Sequence, residues 1–163
     1  MVKNDTETTG NAEHTENVII EKYLVFTIQE KRYAIPSKFI SEVAVLEKVF
    51  PLPLVPGYVK GIINRYSVPY ALIDISFLLL KEDSTARKVI VLKEEMDKLA
   101  LLIDDVADIA DLPAEKLMKI EQEETAPSGS VSAFFEWNGS QIFCIDTQDL
   151  IGRIKRDFER QEA

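Results

Sequence analysis

The chain has 163 residues, of which 46% are hydrophobic, and a formal net charge of −9. This composition is typical of one medium-sized globular domain and not of a disordered chain. The acidic charge repels phosphate backbones, so we expect neither nucleic acid nor anionic membrane as a partner. The single cysteine, Cys144, excludes an intrachain disulfide. No run of residues reaches the ~18 apolar residues of a membrane span, so we expect no direct membrane insertion.

Residues 1–20 are polar and acidic, and they lack the apolar stretch that a secretory signal needs. We therefore expect a disordered tail there and the cytoplasm as the compartment. Order is expected to start with strands over 23–28 and 32–35. A short helical turn after Pro36 and a strand-like run over 43–46 follow.

The segment 50–57 holds three prolines, which cannot donate to a strand ladder, so we expect an extended connection there. The runs 59–64 and 68–73 then predict a β-hairpin, with a short helix after Asp74. After a charged linker over 81–87, the same order of elements repeats.

In the second half, strands are expected over 88–92, 99–103 and 106–109, and a last hairpin over 131–137 and 141–145. Its turn contains the dipeptide Asn-Gly, which strongly favours a tight hairpin. Residues 147–162 predict an amphipathic helix. Its apolar stripe is Leu150, Ile151, Ile154 and Phe158, with Arg153, Lys155, Arg156 and Arg160 largely off that stripe.

The sequence consists of two similar units. Equivalent residues stand 72 positions apart in the pairs Gly57 and Gly129, Asp74 and Asp146, and Leu78 and Leu150, and 66 apart in the pair Ile40 and Val106. A unit of about 70 residues buries too little surface to be stable alone, so we expect the units to share a core. Many short strands with tight turns favour small barrels.

We find no pattern of catalytic, cofactor-binding or metal-ligating residues. The only histidine, His14, and Cys144 cannot supply a metal site or a catalytic triad, and no glycine-rich phosphate loop is present. Asp74 and Asp146 each follow an apolar strand. Paired catalytic carboxylates are one interpretation, but the adjacent residues lack the glycine of such sites, and capping of the following helical turn is favoured.

An ordered series of segments resembles the CheW family of chemotaxis coupling proteins over residues 21–155. These segments include Tyr23-Leu24-Val25-Phe26, Pro56-Gly57-Tyr58-Val59-Lys60-Gly61-Ile62-Ile63-Asn64, Leu101-Leu102-Ile103-Asp104-Asp105-Val106 and Ile145-Asp146-Thr147-Gln148-Asp149-Leu150. The resemblance implies two intertwined SH3-like five-stranded β-barrels with a short C-terminal helix. The first barrel would lie mainly in 21–80, the second mainly in 86–150 and the helix in 147–162, with strands exchanged between the barrels.

The resemblance also implies a non-catalytic adaptor in bacterial two-component signal transduction. Such a protein couples the helical cytoplasmic tip of chemoreceptors to the regulatory domain of a histidine kinase. It implies no cofactor, a monomer when alone, and cytoplasmic localisation with recruitment to receptor arrays at the inner face of the membrane.

Two sets of site residues follow from the resemblance. A receptor groove between the barrels would involve Ile40, Gly61, Asn64, Tyr66, Ala100 and Val106. The kinase surface would involve Val49, Val68 and Pro69. For the apolar members of the groove, the alternative is that they are simply core residues.

The first hairpin departs from the family pattern. The family usually has Asn-Leu-Arg-Gly there, whereas this chain has Asn64-Arg65-Tyr66-Ser67. A shift of one residue along a strand moves a side chain to the other face. The alternative function is therefore a CheW-like binding module with altered receptor recognition, which serves a kinase-only or non-chemotactic pathway.

Overall fold

The computed structural model describes residues 18–120 and 130–162, and in these ranges the chain is mainly β. The strands are Ile20–Ile28 (β1), Lys31–Pro36 (β2), Ile40–Val45 (β3), Val59–Arg65 (β4), Val68–Asp74 (β5), Lys88–Leu92 (β6), Leu99–Ile103 (β7), Asp105–Pro113 (β8), Met118–Lys119 (β9), Val131–Trp137 (β10) and Ser140–Ile145 (β11). The helices are Ile75–Leu80 (α1) and Thr147–Glu162 (α2), with single 3-10 turns at Ser37–Phe39 and Ala114–Lys116.

The predicted bounds of β6, β7, β10 and α2 are confirmed. β1 instead begins at Ile20, inside the predicted tail, because that residue pairs with Pro113 at the far end of β8. For the same reason β8 continues four residues past its predicted end. The sequence pattern does not predict β9, which has only two residues. The rest of the predicted tail, 1–17, lies outside the described residues.

Two sheets share these strands. Sheet I has the order β8-β1-β2-β11-β10-β9, and sheet II has the order β3-β6-β7-β5-β4. Each sheet draws on both halves of the chain, since β1 and β2 join the last strands whereas β6 and β7 join β3, β4 and β5. The sheets therefore divide the chain differently from the ranges 21–80 and 86–150. Whether each sheet with its neighbours is an SH3-like barrel stays a prediction.

The repeat in the sequence is also a repeat of strand register. At the offsets seen in the sequence, β8, β1, β2, β11 and β10 correspond in order to β3, β6, β7, β5 and β4. Ile40 pairs with Leu92 beside a bulge in sheet II, and Val106 pairs with Phe26 beside a bulge in sheet I. A bulge adds one residue and bends the strand, so both sheets bend at equivalent places.

Three apolar clusters hold the sheets. The main cluster lies between them and takes in residues of both helices, such as Leu78 and Leu150. A second cluster consists of sheet I residues and a third of sheet II residues, and their members correspond, as in Val25 and Val91. Since alternate side chains of a strand point to opposite faces, each sheet has one face on the main cluster and the other on its own cluster. A face can enclose its own cluster only if the sheet curls.

Two hydrogen bonds join the ends of the curled sheets. In sheet II, the Arg65 Nε on β4 donates to the Glu42 Oε1 on β3 at 2.8 Å, and these are the two edge strands. In sheet I, the Trp137 Nε1 at the end of β10 donates to the Asp108 Oδ2 on edge strand β8 at 2.8 Å. Glu42 and Asp108 stand 66 residues apart, and Arg65 and Trp137 stand 72 apart. The halves thus use equivalent positions to bring strand edges together, which reduces exposed edges.

Asp74 caps α1 and is fully buried. Its Oδ1 accepts a hydrogen bond from the Phe77 amide at 3.2 Å, and its Oδ2 accepts one from the Ser84 amide at 3.0 Å. The Lys60 Nζ lies 3.7 Å from the same Oδ2. The predicted capping role is confirmed, and the carboxylate also anchors the segment that leads from α1 to β6.

We predict unequal costs for the two equivalent caps. Asp74→Asn should lower the free energy of unfolding by about 2 kcal/mol, because an amide cannot accept from both backbone N–H groups and no longer pairs with Lys60. Among the described residues, the Asp146 carboxylate accepts only the Asp149 amide, at 3.0 Å. Asn caps helices as well as Asp does, so Asp146→Asn should cost less than about 0.5 kcal/mol. Urea denaturation measures both, and equal losses would contradict the anchoring role.

Candidate functional site

Two of the six residues predicted for a receptor groove lie inside sheet II. Ala100 is fully buried in the interior cluster of that sheet. Gly61 is also buried and has a φ of +140°, and a Cβ there would lie 2.3 Å from the carbonyl oxygen of Phe50. The space beside these small residues is filled by the protein itself. Both are buried core residues of sheet II in this structure, and their part in a receptor groove stays a prediction.

Ile40 and Val106 occupy equivalent positions in the two sheets. Both are half-buried and pack against the margin of the main cluster. Each lies beside a bulge on an edge strand. They therefore combine a structural contact with partial exposure, and a role in binding a receptor stays a prediction.

Asn64 and Tyr66 lie at the exposed end of the β4–β5 hairpin. Tyr66 is 84% exposed. Tyr66 and Ser67 have φ values of 53° and 66°, as the central residues of a tight hairpin turn require. At the equivalent turn between β10 and β11, Asn138 and Gly139 adopt 48° and 78°. Asn-Gly builds such a turn with less strain, so the turn itself does not require a tyrosine.

Arg65, which stands one position earlier than the family's arginine, is held by the sheet. The hydrogen bond to Glu42 raises the pKa of Arg65, and both side chains are about one-quarter exposed. On β4, Arg65 shares a face with Ile63, which packs in the interior cluster. After the one-residue shift, this arginine therefore joins the two edge strands of sheet II through Glu42.

The three residues predicted for the kinase surface lie near the same hairpin. Val49 and Val68 are half-buried against the interior cluster of sheet II. Pro69 is exposed and pairs with Asn64. Its missing N–H interrupts no bond to β7, because the pairing of β5 with β7 starts only at Ala71. Of the three, Pro69 is the most accessible to a partner.

Six exposed apolar residues lie on β3, in the connection to β4 and in the β4–β5 turn, with exposed fractions from 37% to 88%. We call them the junction surface: Val43, Val45, Phe50, Leu52, Leu54 and Tyr66. Val45, Phe50 and Arg65 line one cavity of about 210 Å³, so β3 and the hairpin meet there. Only Tyr66 is among the predicted site residues.

A sequence signal exists for four of the other five, namely Val43, Val45, Leu52 and Leu54. Residues 43–46 are apolar on both faces of the strand, although only one face of an edge strand needs to be buried. Pro51 and Pro53 keep the following leucines out of a ladder. Both features predict exposed apolar side chains in this region.

The buried thiol of Cys144 is not positioned as a nucleophile. Burial raises its pKa to about 12, so the thiol stays protonated at neutral pH. Within 18–120 and 130–162, no three His, Cys, Asp or Glu side chains come together as a possible metal site. In the same ranges no helix has the length and apolar character needed to cross a membrane. That the chain lacks a cofactor and catalytic residues stays an expectation.

We predict that Gly61→Ala lowers the free energy of unfolding by about 3 kcal/mol, because the added Cβ meets the Phe50 carbonyl and the backbone conformation is suited only to glycine. Gly139→Ala is the matched control. It also has a positive φ, of +78°, but a Cβ there meets nothing within 4 Å among the described residues. That variant should lose about 1 kcal/mol. Chemical denaturation decides, and a loss at Gly61 no larger than at Gly139 would refute the close contact.

We predict that the double variant Tyr66→Asn, Ser67→Gly raises the free energy of unfolding by about 1 kcal/mol, because Asn-Gly adopts positive φ more easily. The same variant removes an exposed aromatic side chain. If Tyr66 contacts a partner, binding should weaken while stability rises. A double variant that is less stable than the parent chain would show that the tyrosine supports the hairpin.

The chain matches known proteins both in sequence and in structure. The family model of the CheW-like domain matches residues 22–155. The chain is similar to the chemotaxis protein CheW of Klebsiella aerogenes, with 24% identity over 100 residues, which is 60% of this chain and 60% of that relative. The fold resembles the crystal structure of the scaffolding protein TtCheW from Thermoanaerobacter tengcongensis with a TM-score of 0.69 and 18% identity. That match covers 78% of this chain and 89% of the other.

Proposed function

The chain belongs to the CheW-like domain family of scaffold proteins, and we propose that it is a non-catalytic adaptor that couples chemoreceptors to a histidine kinase. The partners would be the helical cytoplasmic tip of a receptor and the regulatory domain of the kinase. The adaptor would act in the cytoplasm, at receptor arrays on the inner face of the membrane.

The junction surface is the observation that carries this proposal. Leu54 is 88% exposed, and Val45 on the neighbouring strand is 61% exposed. Exposed apolar side chains that cluster are typical of protein-binding surfaces. Tyrosine and phenylalanine are also enriched at the centres of such interfaces. These features support a protein partner on this side of sheet II.

We place the kinase on this surface. Val49 and Val68 pack against the interior cluster of sheet II, so they would support this surface from the inside. Pro69 and the residues of the junction surface would contact the partner.

One observation favours the alternative of a kinase-only module over receptor recognition. The Arg65 guanidinium is engaged by Glu42 at 2.8 Å. A receptor would therefore have to displace Glu42 or bind without this cation. Tyr66 would then be the main side chain that this hairpin offers.

The test is a binding assay with both partners. Purified chain is mixed with a kinase regulatory domain and with a receptor cytoplasmic hairpin, separately and together. The adaptor proposal expects a complex that contains all three proteins. Binding of the kinase domain alone would support the alternative, and binding of neither would contradict both functions.

Val43→Glu tests the location of the kinase surface. A carboxylate at this exposed position should weaken kinase binding at least tenfold, about 1.4 kcal/mol, without unfolding the chain. Ile109→Glu is the matched control, because Ile109 stands 66 residues later and is 56% exposed on the edge of sheet I. Kinase binding should survive this control change. Equal effects of the two substitutions would remove the kinase from the junction surface.

A further inference from the structure

The C-terminal helix presents a cationic surface that shares no residue with the junction surface. Arg153, Arg156 and Arg160 lie three and four residues apart, so they project from one side of α2. Together with Lys81, which follows α1, they line a cavity of about 460 Å³ over the buried side chain of Leu78. We call these four cationic residues the arginine face.

The charges of this face are poorly neutralised by the described part of the chain. Among the described side chains, in 18–120 and 130–160, no carboxylate lies within 4.0 Å of the side chains of Arg153 and Arg156. Arg160 reaches Asp157 only at 4.0 Å. Arg156 and Arg160 are four residues apart, a spacing at which like charges destabilise a helix. In a chain with a net charge of −9, this concentration of cations is a local exception.

Favourable interaction with the helix dipole explains only part of this arrangement. Cations stabilise the last turn of a helix, and Arg160 lies there. Arg153 is the seventh residue of a sixteen-residue helix, and the dipole effect is confined to the terminal turns. The half-buried Arg153 guanidinium therefore gains nothing from the dipole.

Two acidic residues in the same cavity restrict the ligand. Asp157 accepts a hydrogen bond from the Tyr58 hydroxyl at 2.6 Å, and burial together with this bond raises the pKa of Tyr58. Asp149 lies at the start of α2. Two carboxylates in the same cavity repel a dense polyanion such as a phosphate polymer or an anionic lipid surface. They are compatible with a protein segment whose own charges are spaced.

We propose that the arginine face binds an acidic helical segment of a partner protein. Guanidinium groups match carboxylates through pairs of parallel N–H···O bonds. Arg153 and Arg160 are seven residues apart, about 10 Å along the helix axis. A partner helix with glutamates at positions i, i+3 and i+7 repeats that spacing and can pair with all three arginines. The cavity over Leu78 accommodates the aliphatic parts of those side chains.

The test uses two synthetic helical peptides with the full-length chain. One carries glutamates at i, i+3 and i+7, and the other carries glutamines there. Fluorescence anisotropy should show binding of the glutamate peptide that weakens as salt rises, because exposed charges are screened. The double variant Arg153→Gln, Arg156→Gln should weaken this binding at least tenfold. The double variant Lys116→Gln, Lys119→Gln, which removes two exposed lysines elsewhere, should leave it unchanged.

A second variant separates binding from folding. Arg153→Lys, Arg156→Lys keeps the charge and the helix but removes the forked geometry, so binding should weaken several-fold with an unchanged melting temperature. Equal affinity for the two peptides, or no binding by the parent chain, would overturn the proposal. It would equally be overturned if inorganic phosphate or vesicles with anionic lipid bound to the arginine face more tightly than the glutamate peptide.

Discussion

The exchange of strands between the two halves of the chain is the constraint on which the rest of the structure depends. β1, from the first half, pairs with β8 from Ile20 to Thr27, and β3 pairs with β6 from the second half. Either half alone would leave a long strand edge unpaired and would bury too little apolar surface for stability. The main cluster between the sheets then forms only when both sheets are complete. Because the exchanged pairings join distant parts of the sequence, we expect slow, cooperative folding of a single unit.

The packing inside sheet II determines what its surface can present. Gly61 leaves room for the backbone of Phe50, which pairs with Ile62 through hydrogen bonds of 2.8 and 2.7 Å. In sheet I, the equivalent of Gly61 is Ala133, and there the neighbouring strand is β9. The connection from β3 to β4 is thus held against β4, and the prolines that follow keep its leucines outside the ladder. Gly61 in the core of sheet II therefore helps to hold the connection whose exposed leucines belong to the junction surface.

Much of the fold follows from local sequence patterns. Apolar runs and turn residues predict β6, β7, β10 and α2 at their observed bounds, and Asp74 at the end of β5 predicts the cap of α1. The two-fold repeat predicts two similar sheets, but it cannot show that β1 pairs with β8 about 80 residues away. The site is less predictable for a related reason. The alternation of side chains along a strand tells which residues share a face, but not which face a curled sheet encloses. In the sequence, Gly61 and Ala100 are therefore equally compatible with a groove and with a core.

The internal repeat separates residues that the fold requires from residues that are free to serve binding. Where the fold imposes a constraint, the halves agree, as in the bulges and in the acidic residues Glu42 and Asp108 that join the sheet edges. The halves differ at the hairpin turn, where Asn138 and Gly139 in one half build the same turn as Tyr66 and Ser67 in the other. The fold therefore does not require one particular pair of residues at this turn. The helices differ most. α1 has six residues and α2 has sixteen, and both pack apolar side chains on the main cluster. The additional turns of α2 extend that packing through Ile154 and Phe158 and place the arginines on another side. The halves therefore supply a common scaffold, and both binding surfaces that we propose lie where one half departs from the other.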